Sequence, residues 1–129
     1  MSTLFETVYS EVTRFECTLR HAHGVTIANL VSPDRQAEWI DRLLEIFGED
    51  TPQAKREHIS IINDVLKEIA PRIDLNSLSA SWPKTGRNKV VAAELTRMGM
   101  TNLAAVAQNS AIHELRNRRP AIGPRKPEL

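Results

Sequence analysis

The sequence predicts an all-α fold of five to six helices in one compact domain. Apolar residues recur at steps of three and four through most of the chain, the period of a helix with one buried face. Proline after Ser or Thr, and glycine at the ends of the runs, mark where such helices start and stop. Aromatic residues make up only 5%, so the core must come from Leu, Ile, Val and Ala, which suits packed helices better than sheets.

The first helix is expected from Thr3 to His23, where Leu4, Val8, Val12, Phe15, Leu19 and Ala22 form one stripe and Gly24 offers a C-cap. Residues 25–31, Val-Thr-Ile-Ala-Asn-Leu-Val, are apolar and partly β-branched, and read as a short extended segment or one irregular turn. Ser32-Pro33-Asp34 then provides an N-cap, a proline at the first helical position and an acid in the first turn. Ala37, Ile40, Leu43, Leu44 and Phe47 give that second helix its apolar stripe up to Gly48, with Trp39 and Ile46 falling partly outside it. Thr51-Pro52 repeats the start signal, and Ile59, Ile62, Val65, Leu66 and Ile69 carry a third helix to the residue before Pro71. The short Gly48–Thr51 turn makes the second and third helices antiparallel neighbours.

From Arg72 to Gly86 the periodicity fails amid Ser77, Ser79, Ser81, Pro83 and Gly86, which reads as a loop or hinge with one helical turn near Leu75–Ala80. A fifth helix is expected from about Arg87 to Gly99 on Val90, Val91, Leu95 and Met98. Thr101 or Asn102 would cap a sixth, reaching about Arg118 before Pro120, with Ala104, Ala107, Ala111 and Leu115 on one side. The domain organisation is then a single helical domain, 1–119, followed by a flexible basic tail, 120–129.

Charge divides the chain. Residues 1–83 carry 8 Lys/Arg against 13 Asp/Glu, a net of −5, whereas residues 84–129 carry 9 against 3, a net of +6. The overall +1 therefore conceals an acidic part, 1–83, and a basic part, 84–119 with its tail. Lys84, Arg87 and Lys89 precede or open one helix, and Arg116, Arg118 and Arg119 close the next. If the two clusters lie together, they form a cationic face able to neutralise several phosphates of DNA or RNA. Lone basic residues at helix C-termini also do nothing more than complement the helix dipole.

The expected function is a small, non-catalytic binding protein, a nucleic-acid-associated regulator or accessory factor. The alternative is a protein–protein adaptor or inhibitor that docks through its acidic helices and dimerises through the Ala104, Ala107, Ala111 stripe. Trp39 and Trp82 are its candidate partner-binding residues, because aromatic side chains dominate interface hot spots; each would otherwise be core. A base-reading helix-turn-helix at Arg87–Arg118 fits the outline, but only Asn102, Gln108 and Asn109 could read bases from the second helix.

Other chemistry finds little support. Cys17 and His21 lie four apart, with Glu16 and His23 nearby and His58 or His113 as distant fourth ligands, but no paired Cys or His spacing implies a zinc site. Arg14 and His21 loosely echo the Arg and His of some helical ribonucleases, and there is no Gly-x-Ser-x-Gly, P-loop or Gly-x-Gly-x-x-Gly. No cofactor, metal or catalytic residue is therefore expected. No run approaches the roughly 20 apolar residues of a membrane span. With one cysteine and no leader-like N-terminus, the expected location is the cytoplasm.

Overall fold

The computed structural model describes residues 3–23 and 31–122, with side chains for 3–21 and 31–112. It is all-helical among those residues: α1 (Leu4–His23), α2 (Pro33–Glu45), α3 (Pro52–Ile69), α4 (Leu75–Ala80), α5 (Asn88–Arg97) and α6 (Thr101–Ile122). Apart from Val31, the segment expected to be extended at 25–31 lies outside the described residues.

Local chemistry starts several of these helices. Thr3 Oγ1 accepts the Glu6 amide at 3.1 Å ahead of α1, and Thr51 Oγ1 accepts the Ala54 amide at 3.0 Å ahead of α3, each satisfying one orphan donor of a first turn. Gly99, at φ 83°, reverses the chain after α5, and the Met100 amide reaches back to the Leu95 carbonyl at 2.8 Å. The sixth helix starts differently from expectation. Neither Thr101 nor Asn102 caps it; Asn63 Oδ1, from the middle of α3, accepts the amides of Asn102 at 2.9 Å and Leu103 at 3.0 Å. Asn102 Nδ2 donates to the Asn63 carbonyl in return. At its far end α6 continues past Arg118 and through Pro120 to Ile122. A proline within a helix loses its own amide hydrogen bond and crowds the carbonyl four residues back, a cost confined to that turn.

The core is the expected aliphatic one. Val8, Val12, Phe15 and Leu19 of α1 meet Ile59, Ile62, Val65, Leu66 and Ile69 of α3, and Val91, Leu95, Leu103, Val106 and Ala107 of the last two helices. In this arrangement α3 touches α1, α2 and α6, while α5 lies between α1 and α6. Ala104 and Ala107 are buried inside the chain, where their small side chains allow α6 close to its neighbours.

Two expectations are corrected here. The Arg72–Gly86 stretch is packed rather than hinge-like: Leu78, Ser79, Ser81 and Trp82 are all buried. Trp82 stacks on Phe15 with ring centroids 4.8 Å apart, and Ser79 Oγ donates to the Val106 carbonyl at 3.1 Å. The second correction concerns α2, which turns a different face inward than its strongest periodicity implied. Trp39 is only 3% exposed, whereas Ile40, Leu44 and Phe47 are 42%, 62% and 82% exposed. The cause lies in the side chains that join α2 to α3. Arg35 forks onto Glu68 at 2.6–3.1 Å and also pairs with Glu38, while Arg42 reaches Glu57 at 2.7 Å and Asp64 at 3.1 Å. Both guanidinium groups lie over the Trp39 ring, 5.3 and 5.1 Å from its centroid. Trp39 thus sits beneath two arginines that must face α3 to meet its carboxylates, and the charges choose the buried side. These pairs also make α2 and α3 antiparallel, as the short turn implied.

Asn63→Ala removes the acceptor shared by two amides at the start of α6, and is expected to lower the unfolding free energy by about 1–3 kcal/mol in urea titration. Asn63→Asp, which keeps the acceptor, should recover most of that loss; equal destabilisation by both would refute the cap. The hydrogen bond from Arg35 holds Glu68 below its ordinary value of 4.5, with burial opposing. A carboxylate with a depressed folded pKa contributes stability above its unfolded pKa and loses it as pH falls through the folded value. The stability difference between wild type and Glu68→Gln should therefore stay constant above about pH 5 and shrink below about pH 4.

Candidate nucleic-acid interface

The basic residues are placed by the α5–α6 hairpin. Asn88, at the start of α5, is buried and donates from Nδ2 to Ser110 Oγ at 2.9 Å, so the beginning of α5 lies beside the middle of α6. From Ser110, α6 runs on through Arg116, Arg118 and Arg119, which begin about 9 Å further along its axis. The two clusters read from the sequence are thus carried to the same end of the hairpin. Lys84, Arg87 and Lys89 are all exposed there, and Arg87 occupies the N-cap position of α5 without a side-chain cap.

Arg87 is anchored by a residue that the sequence did not single out. Glu11 of α1 is fully buried, and its carboxylate accepts three hydrogen bonds from the segment ahead of α5. Trp82 Nε1 donates to Oε1 at 3.2 Å, while Thr85 Oγ1 at 2.6 Å and Arg87 Nε at 3.2 Å donate to Oε2. Thr85 Oγ1 also accepts the Arg87 amide at 3.3 Å. A buried carboxylate needs such partners, because desolvation without them would cost several kcal/mol. The Arg87 side chain is nonetheless 56% exposed, so the Nε bond orients the fork while leaving its outer face to solvent. No periodic or motif signal marks Glu11 in the sequence, since a glutamate on an amphipathic helix ordinarily faces water.

The candidate base-reading residues have internal roles. Asn102 is tied to Asn63, and Asn109 Nδ2 donates to Asn76 Oδ1 at 3.0 Å and Ser79 Oγ at 2.9 Å. Of the three, only Gln108 is exposed. The first half of α6 is therefore packed against α3 and α4 rather than presented to a groove. Of the two readings given for each tryptophan, the core one holds: Trp39 and Trp82 are both buried, and neither presents an exposed indole to a partner. Trp82 finds its hydrogen bond in Glu11; Trp39 Nε1 makes none of normal geometry among the described residues, though the indole helps to lower the pKa of Glu68.

Elsewhere, Arg14 and His21 are both exposed on α1. Cys17 is half-buried, and no group of three His, Cys, Asp or Glu among the described residues could hold a metal ion. The histidine that gains partners is His58. Its Nε2 lies 3.1 Å from Glu16 and its Nδ1 3.2 Å from the Tyr9 hydroxyl, bracing α1 against α3. With a neutral ring protonated on Nε2, Glu16 accepts and Nδ1 receives the Tyr9 proton as a hydrogen bond. Burial raises the Tyr9 pKa, against the opposing pull of Lys55, so the phenol is held in its protonated form. No protein-family model matches the chain, and no curated protein or solved structure matches it. None of the helices is long and apolar enough, among the described residues, to cross a membrane.

Arg87→Ala leaves the buried Glu11 carboxylate with only neutral donors, and is expected to lower the unfolding free energy by about 1–3 kcal/mol. Lys89→Ala, at an exposed position, should change it by no more than about 0.5 kcal/mol. Urea titration distinguishes the two; equal effects would mean that Glu11 does not depend on Arg87.

Proposed function

We propose that this chain is a small, non-catalytic nucleic-acid-binding protein, a regulator or accessory factor that grips the phosphate backbone with the basic end of its α5–α6 hairpin. The observation that carries this reading is the Asn88–Ser110 contact, which brings the start of α5 beside the part of α6 that leads to its C-terminal arginines. Lys84, Arg87 and Lys89 would contact phosphates from one side of this end, and Arg116, Arg118 and Arg119 from the other. The N-terminus of α5, which no side chain of its N-cap residue covers, adds the positive end of a helix dipole. The engagement of Asn102 and Asn109 within the fold argues for backbone contact rather than base reading.

Fluorescence anisotropy with labelled double-stranded DNA and single-stranded RNA tests the proposal across a salt series. Binding should weaken linearly on a log–log plot, and charge reversal at Arg116, Arg118 and Arg119 should reduce the slope by roughly one per lost contact. Lys84→Glu with Lys89→Glu should act in the same direction. Unchanged, salt-sensitive affinity in these variants, with helix content intact, would refute the assignment, as would no binding at low salt.

A further inference from the structure

The α2 helix carries an exposed apolar stripe whose position and surroundings are unlike a solvated helix face. Ala37, Ile40, Leu44 and Phe47 recur at steps of three and four and all are exposed, up to 82% at Phe47. Within the helix it covers about 10 Å from Ala37 to Leu44, two turns, and Phe47 extends it in the turn that follows α2. Beside it, Glu38, Asp41 and Glu45 each follow a stripe residue by one position, and with Asp34 one turn earlier they form a parallel ridge of exposed carboxylates. Apart from Glu38, which pairs with Arg35, this ridge makes no ion pair among the described residues. Beyond that one pair, the two arginines of α2 are drawn to the carboxylates of α3 and leave Asp34, Asp41 and Glu45 uncompensated.

At its C-terminal end the stripe opens into a cleft of about 270 Å³ between α2, α1 and α3. Leu43, Ile46, Phe47 and Ala54 make its apolar wall, and Tyr9, His58 and Glu49 its polar edge. Contiguous apolar surface rimmed by polar groups marks an interaction site rather than a face meant for water. A lengthwise stripe with a pocket at one end suits a helix laid along it, whose own apolar residues three and four apart would meet the stripe while one enters the cleft. The flanking ridge is wholly acidic, so the partner must present Lys or Arg beside its apolar face.

We infer that α2 and the turn that follows it are the docking surface for a basic amphipathic helix of a partner protein, with Leu44 and Phe47 as its anchors and Asp34, Asp41 and Glu45 as its charge guide. This inference uses none of the residues placed in the nucleic-acid interface, so each can fail alone.

The test uses the full chain and two labelled synthetic helical peptides of about 16 residues, identical in their Leu stripe, one flanked by Lys and one by Glu. The Lys-flanked peptide should bind, weaken with salt, and lose about tenfold or more in affinity to Phe47→Ser and to Leu44→Ser. The Glu-flanked peptide should bind far more weakly, and Val90→Ser, a comparably exposed apolar position on α5, should change nothing. Absence of binding by the Lys-flanked peptide at roughly millimolar concentration overturns the inference, as does equal binding of both peptides or of the Phe47→Ser protein. Two further outcomes assign the surface elsewhere and overturn it as well. A concentration-dependent dimer in sedimentation that Phe47→Ser dissolves would give the stripe to a second copy, and a large fall in the melting temperature of both serine variants would mean that the chain covers it itself.

Discussion

A single buried carboxylate constrains much of this molecule. Glu11 has no access to water, so its charge must be met by protein donors, and all three come from Trp82, Thr85 and Arg87. That requirement pulls the segment between α4 and α5 onto α1, seats Trp82 against Phe15, and thereby sets where α5 begins. Since α5 and α6 form one hairpin, the same contact decides where the basic residues of both helices emerge. A core of Leu, Ile, Val and Ala would tolerate other helix orientations with similar burial; the directionality of the Glu11 bonds does not.

The same division of labour recurs around the bundle. Aliphatic burial supplies the non-directional attraction, and a small set of polar side chains reaches between helices to choose one arrangement. Asn63 ends the solitude of two amides on α6, Ser79 and Asn109 join α4 to α6, and Asn88 joins α5 to Ser110. Each satisfies a polar group that the packing has removed from water, and each would be left unsatisfied by a slipped register.

On α2 the decisive forces are electrostatic. Apolar residues lie on two sides of α2 and its exit turn, Trp39, Leu43 and Ile46 on one and Ile40, Leu44 and Phe47 on the other, so hydrophobicity alone does not choose between them. Arg35 and Arg42 meet Glu68, Glu57 and Asp64 across the interface, with Trp39 covered between them. The helix is thus held to α3 by an aromatic residue and two forked ion pairs, and its other apolar side is left outward. A charge-separated chain results, in which the basic end of one hairpin and the acidic, apolar-striped face of α2 are built from different helices.

The residues by themselves determined the helical class, the boundaries of most helices and the short turns between them, because periodicity, N-caps, prolines and glycines act within a few residues of one another. The charge division, and hence the clusters at Lys84–Lys89 and Arg116–Arg119, was equally legible, since it is composition in order along the chain. The tertiary structure decided which side of α2 is buried, that Asn63 rather than Thr101 or Asn102 caps α6, that Trp39 and Trp82 lie inside, and that Glu11 anchors Arg87. Those outcomes depend on partners 15 to 76 positions away along the chain, such as Arg42 with Glu57, Arg35 with Glu68 and Glu11 with Arg87. Local pattern carries no information on such pairings, because a carboxylate's preference for water is reversed only when packing brings three donors to it at once.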